Sequence, residues 1–200
     1  MMLAQQLQLK SLFNDDLRFN QLFPKRIQTK ATRHWTPVEV AKAAADFLAP
    51  DKGAHVLDIG SGIGKFCLTA AYHKPEAVFY GVEQRKDLAG YAFDVGCTFG
   101  IYNVSFIHGN FTHIDFRQFD SFYFFNSFYE NLEGTEKIDY TIEHSSALYN
   151  YYSRYLYKQL EGMRKGTRIA TYHSLEDEIP PSYYVVKTAF NGLLKFWINV

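Results

Sequence analysis

The sequence predicts an α/β protein: a doubly wound, mostly parallel seven-stranded sheet closed by a C-terminal antiparallel hairpin, with a helical extension at its N-terminus. Three observations carry this. Short apolar runs alternate with longer helical patterns between residues 36 and 173. A glycine-rich stretch, HVLDIGSGIGKF at 55–66, joins the first apolar run to the helix after it. Two final apolar runs flank Asn191-Gly192, a strong hairpin signal.

Residues 3–23 set Leu3, Leu7, Phe13, Leu17 and Phe23 among polar residues at roughly helical spacing, and Pro24 ends the segment. KRIQTKATR, 25–33, is basic and polar and reads as a connector. Residues 1–33 are therefore an N-terminal helical extension, and 34–200 the main domain. TPVEVAKAAADFLAP reads as a helix with Thr36 as N-cap, Pro37 as first helical residue and Glu39 as capping-box partner. Strands follow at 55–60, 77–83, 104–109, 121–126 and 167–173. Helices fall between them, one through about Tyr72, one over Lys86–Phe99, and a Tyr-rich one over about 140–164. After Pro180-Pro181, YYVVKTAF and LLKFWINV form the hairpin.

The 200 residues suit one domain with a core. Lys+Arg and Asp+Glu number 21 each, so no global basic field exists to hold nucleic acid. Aromatic residues make up 18%, a surplus available to a site as well as to the core. Cys67 and Cys97 lie in apolar stretches and read as reduced structural residues of a cytoplasmic protein. Neither a signal peptide nor a membrane-length apolar run is evident, so no membrane partner is expected. His108 and His113 bracket the end of the third strand, but no His/Cys/carboxylate set has zinc spacing, and no metal is expected.

The glycine loop needs a ligand that approaches backbone closely. Gly60, Gly62 and Gly64 alternate with Ser61 and Ile63. The dinucleotide fingerprint G-x-G-x-x-G fails because Lys65 stands where the third glycine belongs. The phosphate loop fails too, since Phe66 follows Lys65. Glu83 closes the second strand, nineteen residues after Gly64, where a carboxylate accepts both hydroxyls of a ribose. An adenosine-like group without a phosphate clamp fits this pattern.

VLDIGSGIG resembles the D-x-G-x-G-x-G signature of class I S-adenosylmethionine-dependent methyltransferases, and YGVE resembles their second motif. The resemblance spans about residues 30–200, including the hairpin. It implies S-adenosyl-L-methionine as cofactor and S-adenosyl-L-homocysteine as product. It implies that Gly60, Ser61, Gly62 and Gly64 pass the methionine portion, that Glu83 holds the ribose, and that Asn110 contacts adenine. Asp58 either contributes acidity near the amine or braces the loop. TRHWTP, 32–37, precedes a helix N-terminus that suits an anion, so Arg33, His34 or Thr36 is available to the cofactor carboxylate.

Asn126-Ser127-Phe128-Tyr129, after the fourth strand, resembles the N-P-P-Y motif of methyltransferases acting on amino nitrogen. It is also similar to the asparagine-phenylalanine element of histone-lysine methyltransferases that use this fold. Ser127 and Phe128 replace the prolines. The resemblance implies transfer to an amino nitrogen, with a protein lysine favoured as acceptor. The Asn126 amide oxygen and a backbone carbonyl would accept the amine hydrogens, and Phe128 or Tyr129 would flank the nucleophile. No dedicated base is identifiable. A nucleic-acid base acceptor would need a local basic patch from Lys25, Arg26, Lys30 and Arg33. A small-molecule acceptor would need a closed apolar pocket, and a non-catalytic cofactor-binding module is the remaining reading. In this family an N-terminal extension covers the substrate entrance.

Overall fold

The structure, a computed structural model, describes residues 2–174 and 176–200, with side chains from Leu7 onward. The side chain of Leu3 lies outside the described residues.

The extension is four short helices: α1 (Met2–Leu12), α2 (Asp16–Asn20), α3 (Lys25–Gln28) and α4 (Ala31–His34). The helical pattern of 3–23 breaks at 13–15 because Asp15 caps α2, accepting the Arg18 N–H at 2.9 Å. The expected apolar stripe is also corrected. Phe13 and Phe23 are buried with Phe19, but Leu7 and Leu17 are 60% and 74% exposed. The stretch read as a connector instead folds into α3 and α4, and Ile27 is buried there beneath Trp35, whose indole N–H donates to the Ile27 carbonyl at 3.0 Å.

Next comes α5 (Val38–Leu48), whose N-cap is Pro37 rather than Thr36. Thr36 turns inward, its hydroxyl 3.0 Å from that of Tyr123. The cap oxygen comes from α2 instead, since the Val38 N–H donates to Asp16 Oδ1 at 3.0 Å. Glu39 forms no capping box and pairs with Lys42 at 2.8 Å. The same Asp16 meets Lys65 Nζ at 2.5 Å. Lys65 is buried, also donating to Asn20 at 3.0 Å and lying over the Phe19 ring.

Strands and helices then alternate as β1 (His55–Ile59), α6 (Lys65–His73), β2 (Val78–Glu83), α7 (Lys86–Phe99), β3 (Val104–His108) and β4 (Ser121–Phe125). They continue as α8 (Ser146–Glu161), β5 (Arg168–Tyr172), β6 (Tyr183–Ala189) and β7 (Leu194–Asn199). The sheet order is β3-β2-β1-β4-β5-β7-β6, with β7 antiparallel to both neighbours and all other pairs parallel. Asn191-Gly192 sits in a four-residue loop, 190–193, in which Phe190, Asn191 and Gly192 all have positive φ. The Tyr-rich helix starts at Ser146, later than 140, because Ser145 caps it by accepting the Leu148 N–H at 3.2 Å.

Alternation along the strands builds two faces. Val56, Phe79, Tyr123, Ala170 and Phe196 pack against the apolar sides of α5 and α6. Leu57, Ile59, Phe122, Phe124 and Ile169 point the other way, toward α8. Between β3 and β4 no α-helix forms. Two single 3₁₀ turns stand there, and Phe111, Phe116 and Phe119 fill the space over the sheet. Phe116 stacks on Phe122 at 4.9 Å. A third cluster buries Phe13, Phe19, Phe23 and Ile27 against Ile63, Leu68, Leu88 and Val95. Cys67 is buried, whereas Cys97 is exposed on α7 rather than part of the core. Among the described residues no helix is long and apolar enough to cross a membrane, and no group of three His, Cys, Asp or Glu is arranged to hold a metal.

Phe13 is fully buried and stacks on Tyr72 at 4.9 Å. Phe13→Ala is expected to destabilise the whole domain by about 3–5 kcal/mol, read as a lower urea midpoint with unchanged slope. A loss under about 1 kcal/mol would mean that the extension does not share the domain's cooperative unit.

Candidate active site

The sheet reverses its order between β1 and β4, and ligands bind such sheets at the carboxyl ends of the strands around that point. A cavity of about 380 Å³ opens there, within the usual range for small-molecule sites. Its walls come from the ends of β1, β2, β4 and β5, from residues 32–35, and from the irregular segment 128–144.

Glu83, at the end of β2, is buried against the glycine loop. The Gly62 N–H donates to its Oε2 at 3.0 Å, and the Arg85 N–H donates to its Oε1 at 2.8 Å. Burial pushes the carboxyl upward in pKa, while those amides and the Arg85 guanidinium pull it back. Two of about four lone-pair positions are used, so Glu83 retains acceptor capacity toward the cavity it lines.

The loop glycines divide their roles. Gly60 and Gly62 line the cavity, and Gly64 does not. A Cβ on Gly62 would lie 2.6 Å from the Trp35 ring, at φ 54°. A Cβ on Gly64 would lie 2.5 Å from Phe106 and 2.8 Å from Ala92, so this glycine serves the packing of α6 on β3. Ser61 packs beside Gly81, and its buried hydroxyl has no hydrogen-bond partner among the described residues.

Asp58 faces α6 instead of the main cavity. It borders a second, small chamber of about 20 Å³ with Thr36, Ser61, Lys65 and Tyr123. The Cys67 thiol donates to it at 3.6 Å. Burial pushes its carboxyl up to about 8. Asn110 does not line either chamber. Its amide N–H groups donate to Gln84 at 3.3 Å and Tyr152 at 2.9 Å, and its oxygen accepts the Thr112 N–H at 3.0 Å. Arg33 lines the cavity mouth and pairs with Glu136.

At the end of β4, Asn126 adopts φ 50° and lines the cavity. Its side chain makes no hydrogen bond among the described residues. The neighbouring strand β5 ends the same way, with His173 at φ 57° on the same cavity. The Ser127 hydroxyl donates to the Ile59 carbonyl at 2.5 Å and packs on Gly60. Phe128 stacks on Phe111 at 5.0 Å, and Tyr129 is about half exposed at the cavity mouth.

Arg85 was not singled out from sequence, yet it organises the opposite wall. It is buried, donates from Nε to Asp139 at 3.0 Å and from Nη2 to Glu130 at 2.8 Å, and lies 3.8 Å from Glu83. Burial opposes its charge, but Glu130, Asp139 and Glu83 together raise its pKa. His144 sits 3.5 Å from its guanidinium and 3.6 Å from Glu130. The only local signal was that Arg85 follows Glu83 by two residues.

The Asp58 carboxyl gives a signed pH dependence. Its pKa is raised on folding from 3.8 to about 8, so its neutral form contributes fully below about pH 4, and the contribution fades as pH rises to about 8. Asp58→Asn, which stays neutral, is therefore expected to gain stability over the parent between pH 4 and 8 and to hold that gain above. Denaturation at a series of pH values checks this, and a pH-independent difference would contradict it.

A methyltransferase domain family matches residues 50–183. No curated protein matches the chain. Among solved structures, a magnesium protoporphyrin IX methyltransferase from Synechocystis PCC 6803 with bound S-adenosylmethionine is 13% identical, with TM-score 0.59 over 98% of this chain and 97% of that one. An RNA methyltransferase from Salinibacter ruber in complex with S-adenosyl-L-homocysteine is 18% identical, with TM-score 0.56 over 82% of this chain and 92% of that one. TrmN from Thermus thermophilus is 20% identical, with TM-score 0.57 over 84% of this chain but 49% of its own length. At these identities the likeness is one of fold. The match over 50–183, on a seven-stranded sheet with its antiparallel hairpin, makes the chain a member of the methyltransferase domain family.

Proposed function

We propose that this domain transfers a methyl group from S-adenosyl-L-methionine to an amino nitrogen, with a protein lysine as the favoured acceptor. The residues fit the cofactor. Glu83 offers free acceptor positions beside Gly60 and Gly62 for a ribose. Gly109 lines the cavity, and a Cβ there would meet nothing within 4 Å. Ser61 Oγ is buried beside Asp58 and Thr36 with no hydrogen-bond partner among the described residues, an unmet donor that the amino-acid end of the cofactor can satisfy. When bound, the cofactor supplies an electrophilic methyl group on a sulfonium.

The observation that carries the acceptor assignment is Asn126. A strained left-handed residue with an unengaged amide lines the cavity at the end of β4. Its amide oxygen is free to accept an amine hydrogen and so direct the nitrogen lone pair. Positioning of two reactants in a walled cavity supplies the main rate gain. Phe128 lines the cavity with its ring stacked on Phe111 at 5.0 Å. The nucleic-acid reading loses support from the basic residues of the extension. Arg26 pairs with Asp87 at 2.9 Å, and both Lys30 and Arg33 pair with Glu136.

The purified protein, incubated with labelled S-adenosylmethionine and fractionated extract of cells lacking it, is expected to label protein. Label in nucleic acid or small molecules would overturn the acceptor assignment. Asn126→Ala is expected to slow transfer about 100-fold while cofactor affinity stays within about threefold. Glu83→Ala should do the reverse at the binding step, weakening cofactor affinity about 10- to 100-fold by calorimetry. Unchanged transfer by the Asn126 variant would remove the nitrogen-site assignment.

A further inference from the structure

The two chambers share four lining residues: His34, Trp35, Gly60 and Phe125. These form the boundary between the small polar chamber beside Asp58 and the large cavity holding Glu83 and Asn126. On the reading above, the amino-acid end of the cofactor points to the small chamber and the ribose to Glu83, so the sulfur between them belongs at this boundary. Trp35, Gly60 and Phe125 offer no titratable side chain there. His34 is the ionisable group of the boundary, and its Nε2 is buried with no hydrogen-bond partner among the described residues.

We infer that His34 accepts the proton released by the methyl acceptor. The inference rests on the methyltransferase reading. The acceptor heteroatom forms its bond to the methyl carbon, the pair of the broken carbon–sulfur bond returns to sulfur, and the displaced proton goes to the imidazole. From there it passes to solvent. Other groups nearby are less free to do this. Glu130 is held by Arg85 at 2.8 Å, and Glu136 is held by Arg33. Asp58, raised to about 8, already carries its proton at neutral pH. His173 lines the large cavity but not the boundary.

Burial lowers the His34 pKa, so the ring is neutral and able to accept a proton at pH 7. Glu130 and Glu136 act in the opposite sense, and Lys30 and Arg85 reinforce the burial. From the small chamber Asp58 and Lys65 face the same boundary.

Calorimetry first establishes binding of S-adenosylmethionine and S-adenosylhomocysteine to the full chain, and failure of both to bind would overturn the methyltransferase reading itself. The His34 ring is then titrated by nitrogen and carbon nuclear magnetic resonance in each complex. The two ligands differ by one methyl group and one positive charge. His34 is expected to titrate about one pH unit lower in the S-adenosylmethionine complex. Equal values with both ligands bound would overturn the inference and leave the cofactor reading standing. In transfer to the fraction that takes label, H34Q is expected to lose about 100-fold in rate and the acidic limb of the pH profile. Its cofactor affinity should stay within about threefold, with an unchanged unfolding midpoint. A parent-like rate in H34Q, or the loss of the acidic limb in H173Q instead, would overturn it.

Discussion

A buried carboxylate needs partners, and the partners of Glu83 set the shape of this site. One oxygen fixes the glycine loop after β1 through the Gly62 amide, and the other fixes the turn after β2 through the Arg85 amide. Arg85, held close to Glu83, then reaches across to Glu130 and Asp139. One charge therefore links two strand ends to the irregular segment that walls the cavity. Glu83 is both a candidate ligand to the cofactor and the post on which the loop hangs. Its removal would disturb loop and ligand together, which is why affinity and stability must be measured in parallel on any Glu83 variant.

The strand pattern is readable because the inner parallel strands β1, β2, β4 and β5 are largely buried on both faces and appear as mostly apolar runs, whereas the edge strand β3 is only partly buried. Short-range signals worked as well: Gly60 to Gly64 mark the first turn, and Glu83 marks the second strand end. Legibility failed where a partner lies far along the chain. Thr36 has the right residue type for an N-cap, but the capping oxygen comes from Asp16, twenty-two residues before the Val38 whose N–H it accepts. The sequence around Arg85 does not announce Glu130 or Asp139, 45 and 54 residues away. Asn110 follows the third strand, and its amide donates to Gln84 and Tyr152, 26 and 42 residues away, while accepting the Thr112 N–H. Leu17 fits a helical period but faces solvent, because a break at 13–15 resets the helix phase.

The surplus of aromatic residues is resolved by the same topology. The crossover from β3 to β4 lacks an α-helix, and a helix there would have covered the sheet with a ridge of aliphatic side chains. Phenylalanines on two tight turns do that work with few residues. Phe111, at the inner edge of this cluster, also lines the cavity and carries Phe128 on its face. The rings are mostly core, and the site borrows one edge of them.

Burying Phe13, Phe19, Phe23 and Ile27 against Leu68, Leu88 and Val95 has a bearing on synthesis. The extension leaves the ribosome before the residues that cover it exist. At about 5–20 residues per second, three phenylalanines and the capping carboxylate of Asp16 wait several seconds for α6 and α7. During that interval the nascent chain presents apolar side chains whose covering surface has yet to be made. Lys65 closes the interval: its ammonium loses water when α2 docks, so Asp16 and Asn20 must arrive together with it.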